Sequence, residues 1–216
     1  MHTYDFFGKK IKRNKEITES VFTRLTHNVM TNGTIELLFN LDKVNNQLLI
    51  DIKPTIGDYY LLPVVFDINC DVYEENKDLY NDVIKNVELN ELSNKVNTFN
   101  YHISNSKTLD ELYESTNKNI TYIKIDSPNK EEILRGGKNI ISHHKPIIQM
   151  KWFYNTLEEC KSLIELIREY NYKPLMIIAQ DLFILPNEKY DELKHIKKPL
   201  HKSIRNNPIF YWINTF

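Results

Sequence analysis

Three acids close short apolar runs in this chain. Asp51 stands near the end of Gln47-Leu-Leu-Ile-Asp-Ile52, Glu74 ends Cys70-Asp-Val-Tyr-Glu74, and Asp126 ends Ile120-Thr-Tyr-Ile-Lys-Ile-Asp126. A carboxylate is acceptor-only and has two oxygens, so it can hold a pair of hydroxyls or take up a proton. In an open parallel sheet, ligands bind beyond the carboxyl ends of the strands, and all three acids could face one crevice there. Glu74 lies 23 residues after Asp51. That spacing suits a carboxylate that accepts both ribose hydroxyls of a nucleoside cofactor. The plain alternative is that acids stand at strand ends for solubility and capping.

Other groups admit two readings each. Asp126 and Lys124 alternate on one strand and so share a face; they are a base with its partner or a buried ion pair. His143-His144 are adjacent imidazoles, which rarely chelate one ion unaided, so a structural role is expected and no metal. Lys9, Lys10, Lys12, Arg13 and Lys15 fall within seven positions. They make a solvated arm or a phosphate-binding patch. The 13 Tyr and 10 Phe fall mostly at core spacing, although base stacking uses the same residues.

The elements that must position these groups alternate between strand and helix. Strands are expected at 34–39, 47–52, 70–74, 95–103, 120–126 and 146–153, and two more within 173–186. A short amphipathic helix is expected at 16–27, followed by an Asn32-Gly33 turn. Residues 58–66 read as helix or loop kinked at Pro63. Helices follow at 78–89, 108–113, 130–141 and 156–170. Thr108 with Glu111, and Thr156 with Glu159, form capping boxes, and Gly136-Gly137 weakens the second half of 130–141. The last two strands meet in a tight turn near 179–181. This alternation implies right-handed crossovers and a mostly parallel sheet with an antiparallel hairpin at its edge. Three segments follow: an N-terminal extension over 1–45, an α/β core over 46–188, and a basic, aromatic tail over 189–216.

Composition bounds what such a core can do. The chain has 216 residues, 41% hydrophobic and 26% charged, enough to bury a sizeable core. Its formal net charge of −1 gives no overall basic field for nucleic acid or a membrane surface. No apolar run is long enough to span a bilayer, and the start lacks the apolar stretch of a secretory leader. Cys70 and Cys160 stand alone, which argues against a disulfide framework or a cysteine zinc site and suits a reducing, cytoplasmic setting. The 25 Asn against a single Ala reflect codon bias rather than chemistry.

The order of blocks then carries a resemblance. Leu49-Ile-Asp-Ile-Lys-Pro-Thr-Ile-Gly-Asp-Tyr-Tyr-Leu-Leu62 resembles the first motif of the FkbM family of S-adenosylmethionine-dependent methyltransferases. Val72-Tyr-Glu-Glu-Asn-Lys77 is similar to that family's Phe-Glu-Pro-Asn-Pro. Thr108-Leu-Asp-Glu-Leu112, Tyr122-Ile-Lys-Ile-Asp126, Ile133-Leu-Arg-Gly-Gly137, His144-Lys-Pro-Ile-Ile148, Glu158-Glu-Cys160 and Gln180-Asp-Leu-Phe-Ile-Leu-Pro186 resemble later blocks. The resemblance covers roughly residues 47–188. It implies a class I methyltransferase fold, Rossmann-like, with a mostly parallel seven-stranded sheet and a terminal antiparallel hairpin. It further implies S-adenosylmethionine as cofactor, Asp51, Lys53 and Gly57 in the cofactor loop, Glu74 on the ribose and Asp126 near the transferred methyl.

The departures bear on function. Lys53 stands where the family has its first glycine, and Pro54 follows it. Asp126-Ser-Pro-Asn-Lys130 replaces the family's Asp-Val-Glu-Gly, and the segment from Ser104 to Thr108 is short. A lysine in a glycine slot either obstructs the pocket or pairs with the cofactor's carboxylate. Two functions are therefore expected in competition. One is an O-methyltransferase acting on a small-molecule or glycan acceptor, with a sugar hydroxyl as the specific candidate. The other is a catalytically silent methyltransferase fold with a structural or interaction role. No membrane or nucleic-acid partner is expected, and a homo-oligomer is left open.

Overall fold

The computed structural model describes residues 1–6, 8–15, 37, 45–54, 59–104, 106–152, 157–178 and 181–196. The expected helix at 16–27, the Asn32-Gly33 turn, Gly57, the Thr156 cap, the turn residues 179–180 and the tail beyond 196 lie outside them. Of the expected strand at 34–39 only Leu37 is described, and it is helical and buried.

Seven strands form one sheet: β3 (Gln47–Ile52), β4 (Asn69–Tyr73), β5 (Val96–Phe99), β6 (Asn119–Ile125), β7 (Ile147–Lys151), β8 (Tyr172–Ile178) and β9 (Asp181–Pro186). Their spatial order is β5-β4-β3-β6-β7-β9-β8. The first five are mutually parallel, and β9 lies antiparallel between β7 and β8. The Rossmann-like architecture and the terminal antiparallel pair read from the sequence are both present. Helices cover both faces, so the central strands carry apolar residues on both sides. In β3 every residue after Gln47 is buried. Pro174 is tolerated because β8 is an edge strand.

Two cores result from strand alternation. Ile50 and Ile52 of β3 and Tyr73 of β4 pack with α2 (Leu109–Tyr113), α3 (Lys130–Arg135), α4 (Lys138–His144) and α5 (Leu157–Glu169). Leu49, Val72 and Tyr122 turn to the other face. There they meet a 3-10 turn at Tyr59–Val64 and Val83 and Val87 of α1 (Lys77–Leu89). The 3-10 turn takes the place of the expected helix or loop, with Pro63 inside it.

Local chemistry sets the element ends. Asn76 caps α1, its side chain accepting from the N–H groups of Asp78 and Leu79. The capping box at Thr108 and Glu111 starts α2. The single helix expected at 130–141 is two helices broken at Gly136-Gly137. A Cβ on Gly136 would lie 3.0 Å from Thr108 Cγ2, and one on Gly137 would lie 3.0 Å from Leu109 Cδ1. The glycines let α2 approach closely. In return Asp110 accepts from the N–H groups of Asn139 and Ile140 at the start of α4.

The basic N-terminus is not a solvated arm. It forms a hairpin, β1 (His2–Phe6) and β2 (Lys9–Arg13), that docks on α1. Ile11 is buried. Asn90 accepts from Lys12 N–H at 2.8 Å and donates to Lys12 O, and Asn86 accepts from Asn14 N–H. Lys15 pairs with Asp82 rather than standing free for phosphate. After β9 the chain continues as α6 (Asn187–Leu193) and one 3-10 turn, Lys194–Ile196. No helix among the described residues is long and apolar enough to cross a membrane.

Candidate functional site

The strand order reverses at β3. From it the chain builds outward through β4 to β5, then returns to place β6 on the other side. A crevice opens beyond the carboxyl ends at such a switch point. Asp51, Lys53, Glu74 and Asp126 are all at this end. Gly57, expected in the cofactor loop, lies outside the described residues.

Asp51 is fully buried. Its Oδ1 accepts from Lys124 Nζ at 3.3 Å, while Oδ2 has no hydrogen-bond partner. Parallel pairing sets Asp51 of β3 level with Lys124 of β6. Lys124 lies 3.9 Å from Asp126 Oδ2 and over the Tyr59 ring, 5.1 Å from its centre. Thus the partner closest to Lys124 is Asp51, not the Asp126 that shares its strand. Asp181, at the start of β9, is buried and lies 3.5 Å from Lys151.

Among the described residues these groups form one cluster, in which Asp51, Asp126 and Asp181 all act on Lys124. Burial pushes Asp51 up from the ordinary aspartate value, Lys124 pulls it back, and Asp126 and Glu74 add to the rise. Burial by itself would lower Lys124, but the charges of Asp51, Asp126 and Asp181 outweigh it and raise it. Burial also raises Asp181, against Lys151 and Lys124. Lys124 is shared by several acids and fully neutralises none. Among the described residues, acids are the main polar groups at this end of the crevice.

Glu74 follows β4 directly and is 1% exposed. Its Oε1 accepts from Asn76 N–H at 2.9 Å. Its Oε2 is buried and has no hydrogen-bond partner. Burial raises its pKa, opposed by that backbone bond and by the Lys53 charge. An unsatisfied buried carboxylate oxygen costs about 1–3 kcal/mol. A hydroxyl donor would remove that cost.

Lys53 has φ 60°, in the left-handed region, which costs a non-glycine residue about 1–2 kcal/mol. The turn thus keeps a glycine-like backbone while carrying a lysine. Its N–H donates to Tyr73 O at 2.8 Å. Its ammonium lies 2.7 Å from Glu75 Oε1, and His102 Nδ1 lies 3.1 Å from Glu75 Oε2. Glu75 and His102 belong to the site and were not singled out in the sequence. The signal was the doubled acid Glu74-Glu75, whose side chains must diverge. Lys124 also had a signal, since a cation inside Ile123-Lys-Ile125 must find an acid.

Other candidates stand apart from the crevice. Cys70 is buried in the sheet; burial, with a smaller contribution from Asp51, pushes its thiol far up and makes it unreactive. His143 and His144 pack edge to face, with ring centres 4.7 Å apart, on α4. Among the described residues no group of His, Cys, Asp and Glu is arranged to hold a metal ion.

No family model and no curated protein matches the sequence. Solved structures do match in fold. The METTL16 MTase domain superposes with a TM-score of 0.54 at 17% identity, over 81% of this chain and 72% of that one. The human methyltransferase 10 domain containing protein gives 0.51 at 16%, over 71% and 78%. The methyltransferase FkbM from Methylobacillus flagellatus KT gives 0.51 at 13%, over 68% of this chain and 45% of that one. The chain has the class I methyltransferase fold.

Proposed function

We propose that the chain is an S-adenosylmethionine-dependent O-methyltransferase of FkbM-like descent, acting on a hydroxyl of a small molecule or glycan, a sugar hydroxyl being the specific candidate. The observation that carries this reading is the pair of buried, half-satisfied carboxylates at the switch point. Asp51 Oδ2 and Glu74 Oε2 both lack hydrogen-bond partners. An acceptor-only carboxylate matches ribose hydroxyls, and acids at the crevice suit a ligand bearing an ammonium and a sulfonium.

S-adenosylmethionine supplies an electrophilic methyl on a charged sulfur. Glu74 would hold the ribose through Oε2, kept in place by the Asn76 N–H on Oε1. Asp51 and Lys53 would border the cofactor. Asp126, partly open at 17% side-chain exposure, would take the acceptor's hydroxyl proton. Its neighbour Lys124 lies 3.9 Å away. Positioning provides most of the rate in such a displacement, so no further chemistry is demanded of the chain.

The silent-scaffold reading is favoured by one observation. The recess beside Lys53, lined by Tyr73, Tyr101, Ile103 and Ser127 among others, has a volume of only about 10 Å³, the room of a single water. Calorimetric titration with S-adenosylmethionine decides between the two. Saturable micromolar binding, lost in Glu74→Ala, supports the enzyme; no heat at millimolar ligand removes it. The pH dependence gives a second check. Protonation of Glu74 removes an acceptor, and its pKa is raised. Affinity should therefore fall on acidification at a pH above the ordinary glutamate range, and that step should vanish in Glu74→Gln.

A further inference from the structure

The geometry points to a latch made of Lys53, Glu75 and His102 that closes one side of the crevice and opens to admit the nucleoside. This inference rests on the cofactor reading above. The three residues follow three adjacent strands, β3, β4 and β5, and both oxygens of Glu75 are engaged. Lys53 Nζ donates to Oε1 at 2.7 Å, and His102 Nδ1 lies 3.1 Å from Oε2, an ion pair when the imidazole is protonated. The bridge ties the three strand ends together across the recess of about 10 Å³.

Beneath the bridge the walls suit a flat ring. Tyr73 meets Tyr101 edge to face at 5.4 Å, and Ile52 and Ile103 complete the floor. Glu74, the ribose acceptor of the proposed reading, is not itself a wall of the recess but lies in sequence between two residues that are, Tyr73 and Glu75. The inference seats the base carried by that ribose in this recess. One water's room does not admit a purine, so the bridge must part. It is built to part cheaply. Lys53, Glu75 and His102 have side-chain exposures of 32%, 40% and 30%, and partly exposed pairs are weak. The Lys53 backbone stays fixed by its bond to Tyr73 O, so only side chains need to move.

A ligand that enters only an open minor form binds with an affinity reduced by that fraction. Removing the latch should restore it. The test is S-adenosylmethionine binding to the wild type, Glu75→Gln and Lys53→Gly, by calorimetry and by stopped-flow association. Both variants should bind about tenfold tighter, with the gain in the association rate. Glu75→Gln is the sharper arm. Loss of a negative charge would weaken attraction for a cationic ligand, so a gain has the opposite sign to a simple charge effect. Binding by the variants alone also supports the latch. Equal affinity and rate in all three proteins overturns it and leaves the cofactor reading standing. No binding by any of them at millimolar ligand removes both.

Discussion

Two charged clusters sit within a few residues of each other at the same sheet edge, and they are built oppositely. On the Tyr59 side, Asp51 and Lys124 are sealed from solvent, with 0% and 6% side-chain exposure, and the acids there are only partly neutralised. On the Tyr73 side, Glu75 is partly exposed and doubly paired. Strand alternation would put Lys53 on the face of Asp51. The strand ends at Ile52, however, and Lys53 takes a left-handed φ of 60°, and its ammonium pairs with Glu75 instead. A buried pair is costly to disturb because each charge depends on the other. An exposed pair contributes little to stability and can exchange its partners for water. The first cluster therefore governs whether the domain folds, and the second governs what can enter it.

The largest effect should come from breaking the buried pair. Lys124→Met leaves Asp51 and its neighbours without their shared cation, and should cost about 3–5 kcal/mol in urea unfolding. The pH response carries a sign. Asp51 already has a raised pKa, and loss of Lys124 raises it further. A folded-state pKa above the unfolded one means that the native state binds the extra proton. Stability then falls as pH rises between the two values. The Lys124→Met protein should become more stable as acidification passes through the raised Asp51 pKa toward the ordinary aspartate value. Adding Asp51→Asn should restore much of the loss and flatten that slope. A single variant within about 1 kcal/mol of wild type would show that water reaches Asp51.

Next in size is the support beneath the recess. Tyr113 donates to Asp71 Oδ2 at 2.9 Å and shares a 2.7 Å bond with Tyr73, all buried. Asn97 Nδ2 and Lys118 hold the other oxygen of Asp71. Tyr113→Phe removes a donor to a buried charged acceptor and should cost about 1.5–3 kcal/mol. Because it leaves Glu75 and its partners in place, it should not raise the association rate for S-adenosylmethionine. A faster association would mean that the wall, not the bridge, limits entry.

These contrasts were unequally legible in the sequence. β3 and β6 could be read because strands covered on both faces are apolar throughout, and Asp51 and Asp126 mark their ends. The capping box at Thr108 and Glu111 could be read because its signal is local. The choice of Asp51 over Asp126 by Lys124 could not be read, because it depends on the register of two strands 73 residues apart. The hairpin at the N-terminus misled because its lysines suggest solvation. Its docking depends on Asn86 and Asn90, two ordinary residues in an asparagine-rich chain. Glu75 and His102 were missed because their meaning lies in three loops converging, which no single segment records.

A smaller effect isolates the backbone under the bridge. Lys53→Gly removes the cost of a left-handed non-glycine residue, about 1–2 kcal/mol. Glycine's greater freedom in the unfolded chain takes back about 0.5–1 kcal/mol, and loss of the pair with Glu75 removes a little more. The net expectation is a gain of up to about 1 kcal/mol, read as a higher urea midpoint at unchanged slope. A clear loss would mean that the lysine side chain supports the loop, and the latch would then be structural.

The smallest effect is the most telling for the contrast. Glu75→Gln removes a carboxylate whose pKa is lowered chiefly by its bond to Lys53. A depressed pKa gives stability that is present at neutral pH and lost as pH falls through the folded value. At 40% exposure solvent screens most of it, so the variant should lie within about 0.5 kcal/mol of wild type. Its stability between pH 7 and pH 4 should decline slightly less than that of the wild type. The same substitution at Asp51 would change the whole domain. If Glu75→Gln instead costs as much as Lys124→Met, the bridge is part of the fold's foundation. Closure of the recess would then be permanent, and the silent scaffold becomes the better reading of this chain.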